Sequence, residues 1–170
     1  IRIGYFSADF HNHATMHLMA ELFERHDKKK FELIAFSFGP NKQDEYRQRA
    51  ILAFDEFIDV SFKTDHEIAL LAQKKNIDIA IDLKGFTQDC RTEIFAKKCA
   101  PIQVNYLGYP GTMGAEFIDY IVADKILIPE NKQQFYSEKI VYMPNSYQVN
   151  VSKRTISKNL FEKSELNLPD

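Results

Sequence analysis

Ile1-Arg2-Ile3-Gly4-Tyr5-Phe6-Ser7-Ala8-Asp9-Phe10-His11-Asn12-His13-Ala14-Thr15-Met16-His17 is the stretch whose reading decides the fold. An apolar run, Ile1–Ser7, breaks into a polar loop rich in His. An amphipathic segment follows from about Thr15 to His26, with Leu18, Met19, Leu22 and Phe23 at spacings of 3 and 4. Strand, short loop and helix in that order open a βα unit. The alternation then repeats. Strand patterns at Phe31–Phe38, Phe57–Val60, Ile77–Leu83, Ile102–Leu107, Tyr120–Val122 and Ile140–Met143 are interleaved with helix patterns at Asp44–Phe54, Asp65–Lys75 and Arg91–Lys98. Ile126–Ile128 is a short apolar segment, and Gln133–Tyr136 a helical turn. Thr64 followed by Glu67 has the spacing of a capping box at the start of the third helix. Such a chain builds a Rossmann-like three-layer α/β/α sandwich on a mainly parallel sheet, with right-handed crossovers.

In open sheets of this kind ligands bind outside the carboxyl ends of the strands, and two loops there carry more polar and glycine residues than turning requires. In the first, free N–H groups at the helix start attract anions. Thr15 is a candidate cap that also faces a ligand, and His17 a candidate substrate contact. His13 has the near-neutral pKa range of a general base or a hydrogen-bond donor. Asp9 stands where it can orient that ring. The plainer reading is an Asp9–His13 bond that closes the turn, with His17 packed on the helix and His11 solvated. His13 and His17 are spaced as a zinc pair, but no third ligand is near in sequence, so no metal site is expected. The G-x-G-x-x-G spacing of a dinucleotide site is absent.

The second loop is Leu107-Gly108-Tyr109-Pro110-Gly111-Thr112-Met113-Gly114, and it holds three of the six glycines in the chain. Glycine lets a ligand approach the backbone closely. Leu107, Gly108, Tyr109, Pro110, Gly111 and Thr112 are therefore candidate substrate-binding residues. A third loop, Lys84-Gly85-Phe86-Thr87-Gln88-Asp89, opens on the same edge. Beyond it Arg91 and Glu93 are either substrate contacts or an exposed ion pair.

A formal charge of −2 gives nucleic acid no electrostatic footprint. No apolar run reaches the roughly 18 residues that span a bilayer. Cys90 and Cys99 are too few for a disulfide scaffold and read as free thiols of a cytoplasmic protein. Residues 1–144 read as the domain. The polar stretch 145–170, weakly helical over Leu160–Leu168, reads as a connector. An opening on a strand without Met, and a close at Asn167-Leu168-Pro169-Asp170, suggest a piece of a longer chain.

Three motifs together resemble one family: Gly4 through His17; Asp82-Leu83-Lys84-Gly85-Phe86-Thr87; and Ala100-Pro101-Ile102-Gln103-Val104-Asn105-Tyr106-Leu107-Gly108-Tyr109-Pro110-Gly111-Thr112-Met113-Gly114. Asp119-Tyr120-Ile121 and Tyr136-Ser137-Glu138-Lys139-Ile140-Val141-Tyr142-Met143-Pro144 continue it in order. The family is the O-GlcNAc transferase/SPINDLY glycosyltransferases. The resemblance implies the first half of a GT-B fold, preceded by tetratricopeptide repeats and followed by a second Rossmann-like domain that holds most of the nucleotide. It implies inverting transfer of GlcNAc, or a related sugar, from a UDP-type donor to Ser or Thr of a protein, without metal or other cofactor. His13 matches the family's active-site histidine, and Asp9 an aspartate considered in proton transfer. Thr15, Leu107, Gly108 and Pro110 match positions lining the donor-sugar pocket. His11 and Ala14 stand where relatives often carry Gly and Pro. This segment alone is expected to be inactive. The competing reading is a non-catalytic Rossmann-like module that grips a small phosphorylated ligand or a peptide.

Overall fold

The computed structural model describes residues 1–153, 156 and 158–169. The strands are β1 (Arg2–Ser7), β2 (Glu32–Ser37), β3 (Glu56–Asp59), β4 (Ile79–Asp82), β5 (Ile102–Asn105), β6 (Tyr120–Ala123) and β7 (Lys139–Tyr142). The helices are α1 (Ala14–Arg25), α2 (Glu45–Ala53), α3 (Asp65–Lys74) and the single turn α4 (Glu93–Ala96). All seven strands pair in parallel in the order β3-β2-β1-β4-β5-β6-β7. The chain therefore reverses its direction of growth between β1 and β4, and the carboxyl ends there form the crevice of a doubly wound sheet.

A parallel sheet is covered on both faces, so its central strands are apolar throughout. In β1, Ile3 and Tyr5 belong to the core under α1 and α2, and Phe6 to the core under α3 and α4. Phe6 and its register partner Phe36 stack at 4.4 Å with 2° between their planes. Gly4 leaves them room, since a Cβ there would lie 3.0 Å from the Phe6 ring. The Thr64–Glu67 capping box forms as its spacing requires. The fourth helix is shorter than the pattern Arg91–Lys98, because Lys98 takes a positive φ of 54° and turns the chain into β5.

The segment read as a connector begins docked on the domain. Tyr147 and Val149 pack on the α1/α2 core. The Tyr147 backbone N–H donates to Asp124 at 2.8 Å, and its carbonyl accepts from the Tyr106 hydroxyl at 2.8 Å. Of the weakly helical stretch Leu160–Leu168, only a 3₁₀ turn at Lys163–Leu166 forms. Positions 154, 155, 157 and 170 of that segment lie outside the described residues. Among the described residues no helix is long and apolar enough to cross a membrane.

Candidate active site

Three loops meet at the carboxyl ends of β1, β4 and β5. In the first, the backbone of His13 is extended (φ −150°, ψ 157°), and its Nδ1 accepts the Thr15 N–H at 3.2 Å. His13, not Thr15, is thus the N-cap of α1, because Thr15 already lies inside the helix. A backbone N–H can only donate, so Nδ1 is an acceptor and the proton of the neutral ring sits on Nε2. The side chain is 42% exposed, so the ring presents an N–H donor at the crevice.

Asp9 serves a different partner from the one the spacing suggested. Its Oδ2 lies 3.6 Å from His13 Nδ1, too far for a hydrogen bond. The same oxygen accepts from Lys84 Nζ at 2.7 Å and, weakly, from the Thr15 hydroxyl at 3.4 Å. Asp9 and Lys84 are both buried. This ion pair joins the loop after β1 to the loop after β4 across the switch point. His11 is buried rather than solvated, and burial lowers its pKa. His17 Nε2 is 2.7 Å from Asn12 Oδ1, and its ring packs on Tyr46 of α2 at 4.6 Å.

The other two loops interlock. A Cβ on Gly108 would stand 2.0 Å from the Leu83 carbonyl oxygen, and one on Gly85 2.4 Å from the Tyr109 Cβ. Gly108 is therefore required by the neighbouring backbone. Leu107 is held at φ 68°, a conformation costing a non-glycine residue about 1–3 kcal/mol that persists only where the surroundings over-determine it. The Asn105 amide donates to the Tyr109 carbonyl at 2.9 Å and the Gly111 carbonyl at 3.3 Å. Buried Glu138 accepts from the Met113 N–H at 2.5 Å and the Thr112 hydroxyl at 2.7 Å. That hydroxyl also accepts the Gly114 N–H at 3.0 Å, so Thr112 is engaged within its own loop. Pro110 offers its carbonyl to the Tyr136 hydroxyl at 3.3 Å. Phe86, half exposed, meets Tyr109 edge-on at 5.6 Å. Gly108→Ala is expected to destabilise the protein by about 1–3 kcal/mol through overpacking, measured by urea denaturation. An unchanged transition would mean that the loops separate freely.

Arg91 does not form an ion pair with Glu93. It pairs with Asp65 of α3 and donates to the Lys63 carbonyl at 2.7 Å. Sequence reasoning missed Lys84, Asn105 and Glu138. Each is a polar residue at or beside the end of a strand, which is the signal that marks them. Among the described residues no group of three or more His, Cys, Asp or Glu is placed to hold a metal.

A doubly wound parallel sheet with an exposed His at its switch point and an interlocked glycine loop beside it defines a Rossmann-like α/β domain of the GT-B kind. The chain belongs to glycosyl transferase family 41, whose model matches residues 1–168, and it forms the N-terminal part of that family's catalytic region. It is 42% identical over 154 residues to the probable UDP-N-acetylglucosamine–peptide N-acetylglucosaminyltransferase SEC of Arabidopsis thaliana, covering 91% of this chain and 16% of that protein. It is 37% identical over 148 residues to the UDP-N-acetylglucosamine–peptide N-acetylglucosaminyltransferase of Caenorhabditis elegans, covering 86% and 13%. A mutant O-GlcNAc transferase of Thermobaculum terrenum superposes with a TM-score of 0.84 at 31% identity, over 87% of this chain and 28% of that one. The chain thus spans less than a third of each of these relatives.

Proposed function

We propose that this chain supplies the acceptor-side half of the cleft of a protein O-GlcNAc transferase that moves GlcNAc from UDP-GlcNAc to Ser or Thr, in the cytoplasm. The observation that carries the reading is that the loop bearing His13, through the Asp9–Lys84 pair, and the Leu107–Gly111 loop, through Gly108 against Leu83, are both tied to the loop after β4. The relatives' names give the donor and the protein acceptor.

In a single displacement the acceptor hydroxyl oxygen attacks the anomeric carbon. The bond from that carbon to the diphosphate breaks and its electron pair leaves with UDP, while the hydroxyl proton passes to an oxygen of the departing diphosphate, because Nε2 of His13 already carries one. His13 contacts the reacting groups through Nε2. With its proton there it orients an oxygen; for Nε2 to act as base, the proton must first pass elsewhere. Asp9, neutralised by Lys84, holds the loop in place. Thr15, Leu107, Gly108, Tyr109, Pro110 and Gly111 wall the sugar side, and no metal or other cofactor takes part. The second Rossmann-like domain provides the cations that meet the departing diphosphate, so the segment 1–170 by itself is inactive.

The test is transfer of labelled GlcNAc from UDP-GlcNAc to a Ser/Thr peptide by the full-length protein and by the segment, with folding of each checked by circular dichroism. Transfer by the full-length protein alone is expected. Folded full-length protein that uses only another donor, or none, refutes the assignment. Robust transfer by the segment refutes the division of labour.

A further inference from the structure

Asn105 is fully buried, and its side-chain Oδ1 has no hydrogen-bond partner. The amide cannot be turned round to relieve this. Its nitrogen already faces the carbonyls of Tyr109 and Gly111, which can only accept. An orphaned buried acceptor is costly, so a donor is to be sought among its neighbours. In the parallel register Asn105 of β5 stands opposite Asp82 of β4, and register partners project from the same face of the sheet. Asp82 is 2% exposed, and one carboxyl oxygen accepts the Lys84 N–H at 2.8 Å.

We propose that Asp82 carries a proton in the folded enzyme and donates it to Asn105 Oδ1, so that Asp82 and Asn105 act as positioning residues for the two interlocked loops. One neutral hydrogen bond then ties the loop after β4, held by Asp82, to the loop after β5, held by Asn105. Burial supports the assignment, pushing the Asp82 carboxyl up from 3.8 to about 6, and the acceptor opposite favours the protonated form further. Two titratable groups face Asp82. Against burial stand the backbone N–H groups of Lys84 and Gly85, which favour the carboxylate, and then the Lys84 charge, whose ammonium is drawn away to Asp9. Cys99, between α4 and β5, is neutral because burial pushes its thiol to about 12, and it donates to Gln103.

The sign of the pH dependence follows. A carboxyl whose folded pKa lies above its unfolded value binds its proton more tightly when folded. The stabilisation is complete below the unfolded value of 3.8 and is lost as pH rises through the folded value of about 6. Above that range a carboxylate would face an amide oxygen, and the two loops would part. That consequence for catalysis rests on the assignment of these loops to the sugar pocket; the link itself does not.

The decisive variant is Asp82→Asn, which keeps an acceptor for the Lys84 N–H, supplies a permanent N–H donor to Asn105 and cannot titrate. In the full-length protein its melting temperature should exceed that of the wild type at pH 8, with the fall between pH 5.5 and 8 flattened. The alkaline limb of kcat/KM should move up in pH. In an Asn105→Ala background the gain from Asp82→Asn should vanish. Infrared spectra of the wild type at pH 6 should show a protonated-carboxyl stretch missing from Asp82→Asn, a readout independent of activity. A variant less stable than the wild type at pH 8, a gain that is additive with Asn105→Ala, or identical infrared spectra each overturn the proposal.

Discussion

Replacing His13 with Ala in the full-length protein is expected to lower kcat for GlcNAc transfer by a factor of about 100 to 10,000, the range of a single positioned acid, base or donor. The same change removes the α1 N-cap, at about 1 kcal/mol. Lost activity could therefore be mistaken for lost structure, and Asn separates the two. Its side-chain oxygen caps a helix as well as any residue does, but it lacks the imidazole. His13→Asn should melt within about 0.5 kcal/mol of the wild type, inside the range of a neutral substitution, and be as inactive as His13→Ala. The measurement is a set of paired melting curves and initial rates at saturating donor. A His13→Asn variant with near-normal turnover would reduce the ring to a helix cap.

The chemistry of this site was less legible in the sequence than its location. The fold class follows from apolar runs alternating with helix patterns, whereas the strand order came only with the structure. The carboxyl edge follows from where Asp9, His13 and the glycines fall. Partners did not follow. Asp9 and His13 are four residues apart and look like a pair, yet Asp9 bonds to Lys84, 75 residues further on. Spacing along the chain carries no information about contacts across a switch point. The packing reason for the glycines was not legible either. Gly108 reads as room for a ligand, and the structure adds that a Cβ there would meet the Leu83 carbonyl, while the conformation expected of a glycine is taken by Leu107. Gly39, unremarked in sequence, is the closest approach of all, since a Cβ there would lie 1.8 Å from the Ala8 carbonyl oxygen. His11 is buried beside the His13 ring, a placement that no local pattern encodes.

Lys84→Met should be the most destabilising single substitution at this edge. Its stem packs as Met would, so the change isolates the charge. The Asp9 carboxylate is left buried with its 2.7 Å partner gone, retaining only the long bond from Thr15 and the distant His13 ring. Breaking a buried pair by removing one member costs about 3–5 kcal/mol, because the remaining charge has lost both water and counterion. For a domain of this size that lowers the melting temperature by roughly 10 °C. The pair as a whole contributes far less than this, since desolvating two charges offsets most of their attraction. Combining Lys84→Met with Asp9→Asn should therefore recover most of the loss in a double-mutant cycle on the full-length protein. Additive losses, or a Lys84→Met variant within 1 kcal/mol of the wild type, would show that water reaches Asp9 and that the ion pair does not bind the two loops. If the cycle closes as expected while the double variant remains slow in GlcNAc transfer, stability and positioning are separated. The charge pair would then be kept for the geometry it imposes on the loop bearing His13 and not for its contribution to folding.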